Sequence, residues 1–456
     1  MHEPAAHLQT LFWQIVAGGI FLIAYALIAT DKVHKTKVAL AGAALFLVLR
    51  IVTQDQAFTE TAGGGVSWNT IFLLAGMMVI VNIIKRTGVL TWLAIRSVKL
   101  GRGDPYTIAA ILCIVTAVTS AFLDNLTTVL FMAPVTFVVA QFLGLNPVPL
   151  LICEIIASNI GGTATLIGDP PNIMIGSAAG LGFMTFVKHL TPVVIVTLLA
   201  MVGTIKLMFG REWKRDPGAA ARLRELDERE AITDWPLLRR SGAVMALTVG
   251  GFVVHEPLHL QPATVALAGA ALLLLITASD AQETLAEIEW GTLFFFLGLF
   301  IMVTGLVKVG LIAIMADGLL QVTGGNIPAL ALLIVWFSAV ASSVLGSIPF
   351  VATMNPLIIG VAETMQARGD LLVPAGTPLL HAPPVMALWW ALALGACLGA
   401  NATIIGAAAN VAVAGIAESA GHPITFRHYL KYGVPLTVES LLIASVYLYW
   451  RYLLPL

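Results

Sequence analysis

The sequence predicts an all-α polytopic membrane protein built from two inverted-topology repeats, with re-entrant hairpins and discontinuous helices, about ten spans plus two hairpins. Three observations predict it. Of 456 residues, 59% are hydrophobic and 11% charged, against about 25% charged in soluble domains. Apolar runs of spanning length recur along the whole chain. The chain also repeats itself: Trp68–Gly76 (WNTIFLLAG) matches Trp290–Gly298 (WGTLFFFLG) at an offset of 222. This composition excludes a soluble enzyme, so no enzymatic activity, cofactor, metal centre or nucleic-acid partner is expected. The net charge of −1 carries no information. Cys113, Cys153 and Cys397 fall in apolar runs and imply no disulfide framework. No basic n-region precedes the first apolar run, so no removable signal peptide is expected.

The spans are expected near 10–30, 38–54, 68–84, 148–181, 190–208, 241–257, 262–279, 290–306, 386–418 and 432–452. Two of them, 148–181 and 386–418, are long and interrupted by Gly, Asn, Thr and Pro, and are read as broken helices. The regions 106–140 and 328–362 are apolar with a polar break in the middle. They are too long for one helix and are read as re-entrant hairpins, tolerated where protein or water satisfies the backbone. Orientation follows from Lys and Arg. With the N-terminus outside and the hairpins not crossing, 19 of the 24 fall inside, which places both termini outside. The organisation is then scaffold helices over 1–67, repeat 1 over 68–209, a cytoplasmic linker over 210–240, scaffold helices over 241–289, and repeat 2 over 290–456. The linker, with Arg222, Arg224, Glu225, Asp227, Glu228, Arg229 and Glu230, suits a short solvated helix.

The repeat extends beyond the two tryptophans. Offset 222 also pairs Ser120 with Ser342, Met132 with Met354 and Pro134 with Pro356. Gly161–Asn172 matches Gly399–Asn410 at offset 238. The difference is absorbed by the Pro-containing 363–385 loop. Trp68 enters from outside and Trp290 from inside, so the repeats are inverted. That is the architecture of alternating-access carriers, with the solute site near the midplane.

Four polar knots interrupt these apolar regions. The first, Ser120–Thr128 (SAFLDNLTT), carries Asp124, Asn125 and three hydroxyls. A carboxylate in hydrocarbon costs roughly 2.5–3.5 kcal/mol on insertion scales, so such residues face cavities and mark pathways. The second, Asn159–Asn172, holds Gly161, Gly162 and Gly168, which let the chain unwind. Pro170 and Pro171 then delay helix resumption. Broken helices expose amides at one end, which attract anions, and carbonyls at the other, which attract cations. Asn125, Thr127, Thr163, Thr165 and Asn172 are the candidate solute contacts of the first half, and Ser343, Ser347, Asn401, Thr403 and Asn410 those of the second. Asp124 and Asp169 supply charge for Na⁺ or a transferable proton. Glu154, five residues before Asn159, is read either as a proton relay or as a partner of unwound backbone. Asp169 alternatively caps the second half-helix, and the Gly and Thr residues alternatively serve close packing. His381 and His422 read as loop residues, and Cys153 and Cys397 as small core residues.

The halves are not equivalent. Asp124 pairs with Gly346, Asn125 with Ser347, Asp169 with Ala407 and Glu154 with Leu392. The second half has no acid in its knots, so the coupling site is expected in the first half. No Lys, Arg or His lies in any knot. This tilts the expected solute towards a neutral or weakly charged species, while a bound Na⁺ could still admit carboxylates.

At Ser120–Thr128, at Asn159–Asn172 with its Gly-Asp-Pro-Pro-Asn run, and at Leu394–Asn410, the chain resembles the ion-transporter superfamily. It is most similar to the branch of arsenite permeases, P proteins and NhaD-like carriers. The resemblance implies a scaffold plus a mobile transport region, a homodimer and an elevator movement. In the related dicarboxylate carriers the hairpin tip and broken helix hold Na⁺. Here that role would fall on Ser120, Asp124, Asn125 and the Gly161–Gly162 backbone. Two departures stand out. Gly346-Ser347 replaces the Asp-Asn of P-protein-like second tips, which bears on a second cation site. Asp124-Asn125-Leu126 replaces a Ser-Asn-Thr tip, which bears on dicarboxylate specificity. The expected function is inner-membrane, proton-coupled efflux of arsenite or antimonite, with Asp124 as proton carrier assisted by Glu154 and Asp169. The alternatives are a Na⁺- or H⁺-coupled carrier of carboxylates or other anions, a Na⁺/H⁺ antiporter, a channel, and an arsenite pump driven by a peripheral ATPase.

Overall fold

The computed structural model describes residues 3–30, 32–61, 64–210, 213, 228, 230–277, 279–371, 373–374 and 376–455. Of the expected linker helix, Arg222, Arg224, Glu225, Asp227 and Arg229 lie outside the described residues. Among those described, every named element is helical. Two long helices, α1 (Glu3–Ala29) and α2 (Lys35–Val48), and the short α3 (Gln54–Phe58) precede the first repeat. Repeat 1 runs through α4 (Trp68–Lys85), α5 (Val89–Leu100), α6 (Pro105–Ser120), α7 (Asn125–Leu143), α8 (Pro147–Gly162), α9 (Pro170–Ala179) and α10 (Phe183–Phe209). After α11 (Trp235–Val254), α12 (Pro262–Ile276) and α13 (Ala281–Ala286), repeat 2 begins. It comprises α14 (Trp290–Lys308), α15 (Leu311–Thr323), α16 (Ile327–Leu345), α17 (Ser347–Arg368), α18 (Pro383–Gly399), α19 (Ala408–Ser419) and α20 (Phe426–Leu448).

Local chemistry starts these helices. Asp104, Asn146, Asp234 and Asn326 each accept a backbone N–H from the first turn, and each is followed by proline near the first helical position. There the missing N–H costs nothing and φ is already helical. The repeat is visible in these starts. Trp68/Trp290, Val89/Leu311, Pro105/Ile327 and Asn125/Ser347 open corresponding helices, all 222 apart.

Packing follows the repeat. The scaffold helix α12 packs on α4, and α2 packs on α14, so each repeat leans on the helix that precedes the other. Within a repeat, α8 packs on α6 and α7, and α18 on α16 and α17. Across repeats, α9 packs on α17 and α19 on α7. Glycine makes the tightest of these approaches possible. A Cβ on Gly161 would sit 2.1 Å from Ala117 O, and one on Gly399 would sit 2.3 Å from Ala339 Cα. All sixteen residues of α8 are buried. A helix apolar and buried all round belongs to the centre of the molecule.

The hairpins expected at 106–140 and 328–362 are α6–α7 and α16–α17. The broken helices are α8–α9, interrupted over 163–169, and α18–α19, interrupted by two short 3-10 turns, Ala400–Ala402 and Ile404–Gly406. Ten helices among the described residues are long and apolar enough to cross a membrane, but they are not the ten expected. The hairpin arms α7, α16 and α17 qualify, whereas α2, α8 and α12 are shorter than a span. A hairpin arm buried in protein needs as much apolar surface as a span in lipid, so composition does not separate them. Two further helices not expected from the sequence, α5 and α15, open at Gly88 and Gly310, both with positive φ. Beside α5, Glu228 of the linker meets Arg96 at 2.9 Å and pairs with Lys99. Lys99 first, then Arg96, hold this carboxyl below the usual range.

Candidate functional site

The two hairpin tips and the two helix breaks converge. Asp124 caps α7, its Oδ1 accepting the Thr127 N–H at 2.8 Å. Asp169 stands at the N-terminus of α9 with no capping bond of its own. Asn125 joins them: its Nδ2 donates to Asn159 Oδ1 at 2.9 Å and reaches Asp169 Oδ1 at 3.5 Å. Asn159 Nδ2 in turn donates to Asn401 Oδ1 at 2.8 Å and to Asn410 Oδ1 at 3.0 Å. A chain of buried amides thus runs from the first hairpin tip to the break in the second repeat. Buried polar groups are costly to leave unpaired, and in this chain of amides Asn401 Nδ2 has no partner.

The unwound segments are held by matching devices in both repeats. Asn172 Nδ2 donates to Thr163 O at 3.1 Å and Thr165 O at 2.9 Å, with Gly162 O at 3.4 Å. Its equivalent, Asn410 Nδ2, donates to Ala400 O at 2.9 Å and Thr403 O at 2.8 Å. Thr165 Oγ1 donates to Ala121 O and Thr403 Oγ1 to Ser343 O, both at 2.5 Å, tying each break to its own hairpin tip. Cys397 occupies the place of Asn159, with Sγ 3.6 Å from Asn172 Oδ1. Thr163 Oγ1 donates to Asn159 O at 2.8 Å, and the Ser120 hydroxyl lies 3.4 Å from that of Ser158.

A cavity of about 70 Å³ opens against this frame. Of the residues singled out from sequence, Asp124, Asn125, Asp169 and Ser347 line it. Ser120, Gly161, Gly162, Thr163, Thr165, Asn172, Asn401, Thr403 and Asn410 lie behind it, in the frame that shapes the breaks. Ser343 donates to Val340 O at 2.7 Å. Thr127 contributes its backbone N–H to the Asp124 cap. Glu154 is buried on α8 and accepts the Thr136 hydroxyl at 2.6 Å, lining neither this cavity nor the next. A neighbouring cavity of about 370 Å³ shares Lys35, Leu126, Ser347, Ile348, Ala407 and Ala408 with the first and adds His34 and Gly346. Among the described residues no cluster of three or more His, Cys, Asp or Glu is placed to hold a metal ion.

The four knots contain no basic residue, and a lysine from outside them, Lys35, lines both cavities. It comes from the start of α2, with Nζ 5.5 Å from the centre of the Phe295 ring of α14. Glu289 and Thr292, at the start of α14, also line the smaller cavity. None of the three carries a local motif. They arrive because α2 packs on α14 beside the hairpin tips, and only the tertiary pairing reveals it.

The helix N-termini around the cavity differ between the repeats. In repeat 1, carboxylates stand before α7 and α9. In repeat 2, Gly346 and Ala407 stand before α17 and α19, and neither helix has a side-chain cap. Gly346 has φ of 84°, a conformation that favours glycine. Helix N-termini without a capping side chain, beside a lysine, suit a negatively charged ligand.

Comparison with known proteins agrees with this architecture. A citrate transporter family profile, CitMHS, matches residues 25–375. The uncharacterized transporter Rv2684 of Mycobacterium tuberculosis is 46% identical over 438 residues, covering 96% of this chain and 98% of that one. The human P protein is 31% identical over 510 residues, covering 95% of this chain and 59% of the P protein. The crystal structure of the YdaH transporter from Alcanivorax borkumensis matches 93% of this chain and 97% of that chain, with a TM-score of 0.54 and 14% identity, a likeness of fold alone. With its spanning helices and its kinship to transporters along nearly the whole length, the protein is a multi-pass membrane transporter. It belongs to the citrate transporter family, CitMHS, within the ion-transporter superfamily.

Proposed function

We propose that the chain is a secondary active carrier of a small carboxylate-bearing anion, coupled to protons through Asp124 and Asp169. One observation carries this reading: Lys35 and the uncapped starts of α17 and α19 share a cavity with both aspartates. A solute carboxylate would take, in repeat 2, the place that Asp124 and Asp169 take in repeat 1. Asn125 and Ser347 would be its neutral contacts. An anion seated there raises the proton affinity of the neighbouring carboxyls, because like charges disfavour ionisation. Solute and proton then bind cooperatively, which is the thermodynamic basis of coupling. The family's citrate description supports carboxylates as the first solutes to test. In this reading 1–67 and 241–289 form a scaffold. The hairpins and broken helices move against it as an elevator, in a homodimer in the cell inner membrane. Ser120, Asn125 and the Gly161–Gly162 backbone are the contacts for Na⁺ if sodium replaces the proton.

A second reading is proton-coupled efflux of arsenite or antimonite. The small volume of the cavity beside the aspartates favours it, since arsenous acid is a small neutral trihydroxy species. Proteoliposomes with an imposed pH gradient and no Na⁺ distinguish the two. The first reading expects protonophore-sensitive uptake of labelled citrate or succinate, lost in Lys35→Met and largely retained in Lys35→Arg. Arsenite movement that ignores Lys35, with no carboxylate uptake by folded protein, would replace the first reading with the second.

A further inference from the structure

A different cavity, of about 520 Å³, shares no residue with the one beside the aspartates. It lies between α14, α17, the end of α9, residues 60–61 and 64–67, and the 378–381 segment. Along α14 the two cavities are contacted at Thr292 and at Phe300. Eight residues of helix separate those contacts, roughly 12 Å. The volume is within the range of small-molecule sites, about 300–1,000 Å³. Its body is apolar, with Met174, Phe300, Val303 and Ile359 among the walls.

Its polar side chains are mostly acceptors, and the Ser67 and Ser177 hydroxyls that also line it turn to the Glu60 carboxylate. Asn355 is 6% exposed, and its Nδ2 donates to Met174 O at 3.0 Å, which fixes the amide orientation. The Oδ1 is left buried without a partner. An unpaired buried acceptor is costly and invites a donor. Glu60 stands at the mouth, exposed, and no Lys or Arg pairs with it among the described residues. Its carboxylate accepts the Ser67 hydroxyl at 2.7 Å and the Trp68 N–H at 3.1 Å. His381 donates Nε2–H to Ala179 O at 2.9 Å, so that N–H is already spent. The wall hydroxyls of Thr61 and Thr304 spend their protons on Gly64 O and Phe300 O. The cavity therefore offers acceptors and negative charge around an apolar body.

We propose that this cavity binds an organic ammonium with an apolar body, its N–H groups meeting Asn355 Oδ1 and the Glu60 carboxylate. An anion of the kind proposed as transported solute would meet the Glu60 carboxylate there, so this site serves a different ligand and does not depend on that reading. Asn355 has no counterpart in repeat 1, where offset 222 gives Ala133, so the site belongs to one half of the molecule.

The test is calorimetric titration of the full-length purified protein with phenethylammonium, phenethyl alcohol and phenylacetate. The ammonium binds tighter than the alcohol by roughly tenfold or more, the ratio for one charge-assisted hydrogen bond, and phenylacetate binds weakest. Glu60→Gln and Asn355→Leu each lower ammonium affinity by about tenfold, while Asp124→Asn leaves it unchanged. Ile359→Trp, which fills the apolar body, abolishes binding and keeps the test open should Asn355→Leu fail to fold. Equal affinity for ammonium and alcohol overturns the proposal. So does ammonium affinity that survives Glu60→Gln and Ile359→Trp, or that falls with Asp124→Asn.

Discussion

Replacing Asn159 by alanine should unclasp the two helix breaks. Asn159 is fully buried, donates to Asn401 and Asn410, and accepts from Asn125. Truncation removes the donor from two buried amide oxygens and the nearer acceptor from Asn125. Each buried group left unpaired costs about 1–3 kcal/mol. Interhelical hydrogen bonds in one membrane protein average only about 0.6 kcal/mol, because its unfolded state in the membrane also finds partners. Three lost bonds at that average give about 2 kcal/mol, and three groups left unpaired at the low end of the desolvation cost give about 3 kcal/mol, so complete burial places the expectation near 3 kcal/mol. The equivalent change in repeat 2, Cys397→Ala, removes only a 3.6 Å thiol contact and should cost under about 1 kcal/mol beyond lost packing. Reversible SDS titration in mixed micelles reads both. Coincident midpoints for wild type and Asn159→Ala would refute the amide clasp, as would equal losses for the two variants. In a double-mutant cycle, Asn159→Ala with Asn410→Ala should be non-additive by about 1 kcal/mol, as expected of partners in one network.

Other consequences follow from the same geometry. Asp124→Asn retains an N-cap side chain and should fold normally, since Asn and Asp cap helices about equally. It should nevertheless lose proton-driven accumulation, and unchanged pH-jump-driven uptake in proteoliposomes would remove Asp124 from the coupling role. Gly161→Ala and Gly399→Ala force a Cβ against the neighbouring α6 or α16 backbone, and each should cost about 1–3 kcal/mol or more by overpacking. Wild-type thermal stability in either would contradict the close approach. Glu228→Gln should loosen α5 at neutral pH. The folded carboxyl lies below its unfolded value because of Lys99 and Arg96, so its contribution is present above the unfolded carboxylate range and fades as pH falls through the lowered value. Hydrogen exchange over Val89–Leu100 should therefore differ between variant and wild type at neutral pH and converge in acid, and a difference that persists in acid would contradict the ion pair.

Much of this architecture is legible in the chain because inverted repeats leave paired marks. The Trp68/Trp290 match predicts two related halves. The Gly-Asp-Pro-Pro-Asn run predicts the break at 163–169, where two prolines cannot continue α8. Convergence of Asp124, Asn125 and Asp169 follows once a hairpin tip and a helix break belong to one repeat. What escapes is long-range. Lys35 opens α2, roughly ninety positions from the Asp124 tip, and it reaches the cavity because α2 packs on the opposite repeat. Helices α5 and α15 escape because they are shorter than spans and begin at turn glycines. The amide and hydroxyl residues carry the most instructive difference. Type alone suggests that Thr165, Asn172, Thr403 and Asn410 touch solute, but unwound backbone within an apolar core needs donors of its own. These four side chains satisfy it.

In the proposed function, Lys35 and the two uncapped helix starts receive an anion beside Asp124 and Asp169. The most direct measurement is initial uptake of labelled citrate and succinate into proteoliposomes under an imposed pH gradient, for wild type, Lys35→Met and Lys35→Arg side by side. The account predicts protonophore-sensitive uptake that Lys35→Met abolishes and Lys35→Arg largely keeps. Uptake indifferent to the charge at position 35, in protein shown to be folded, would contradict it.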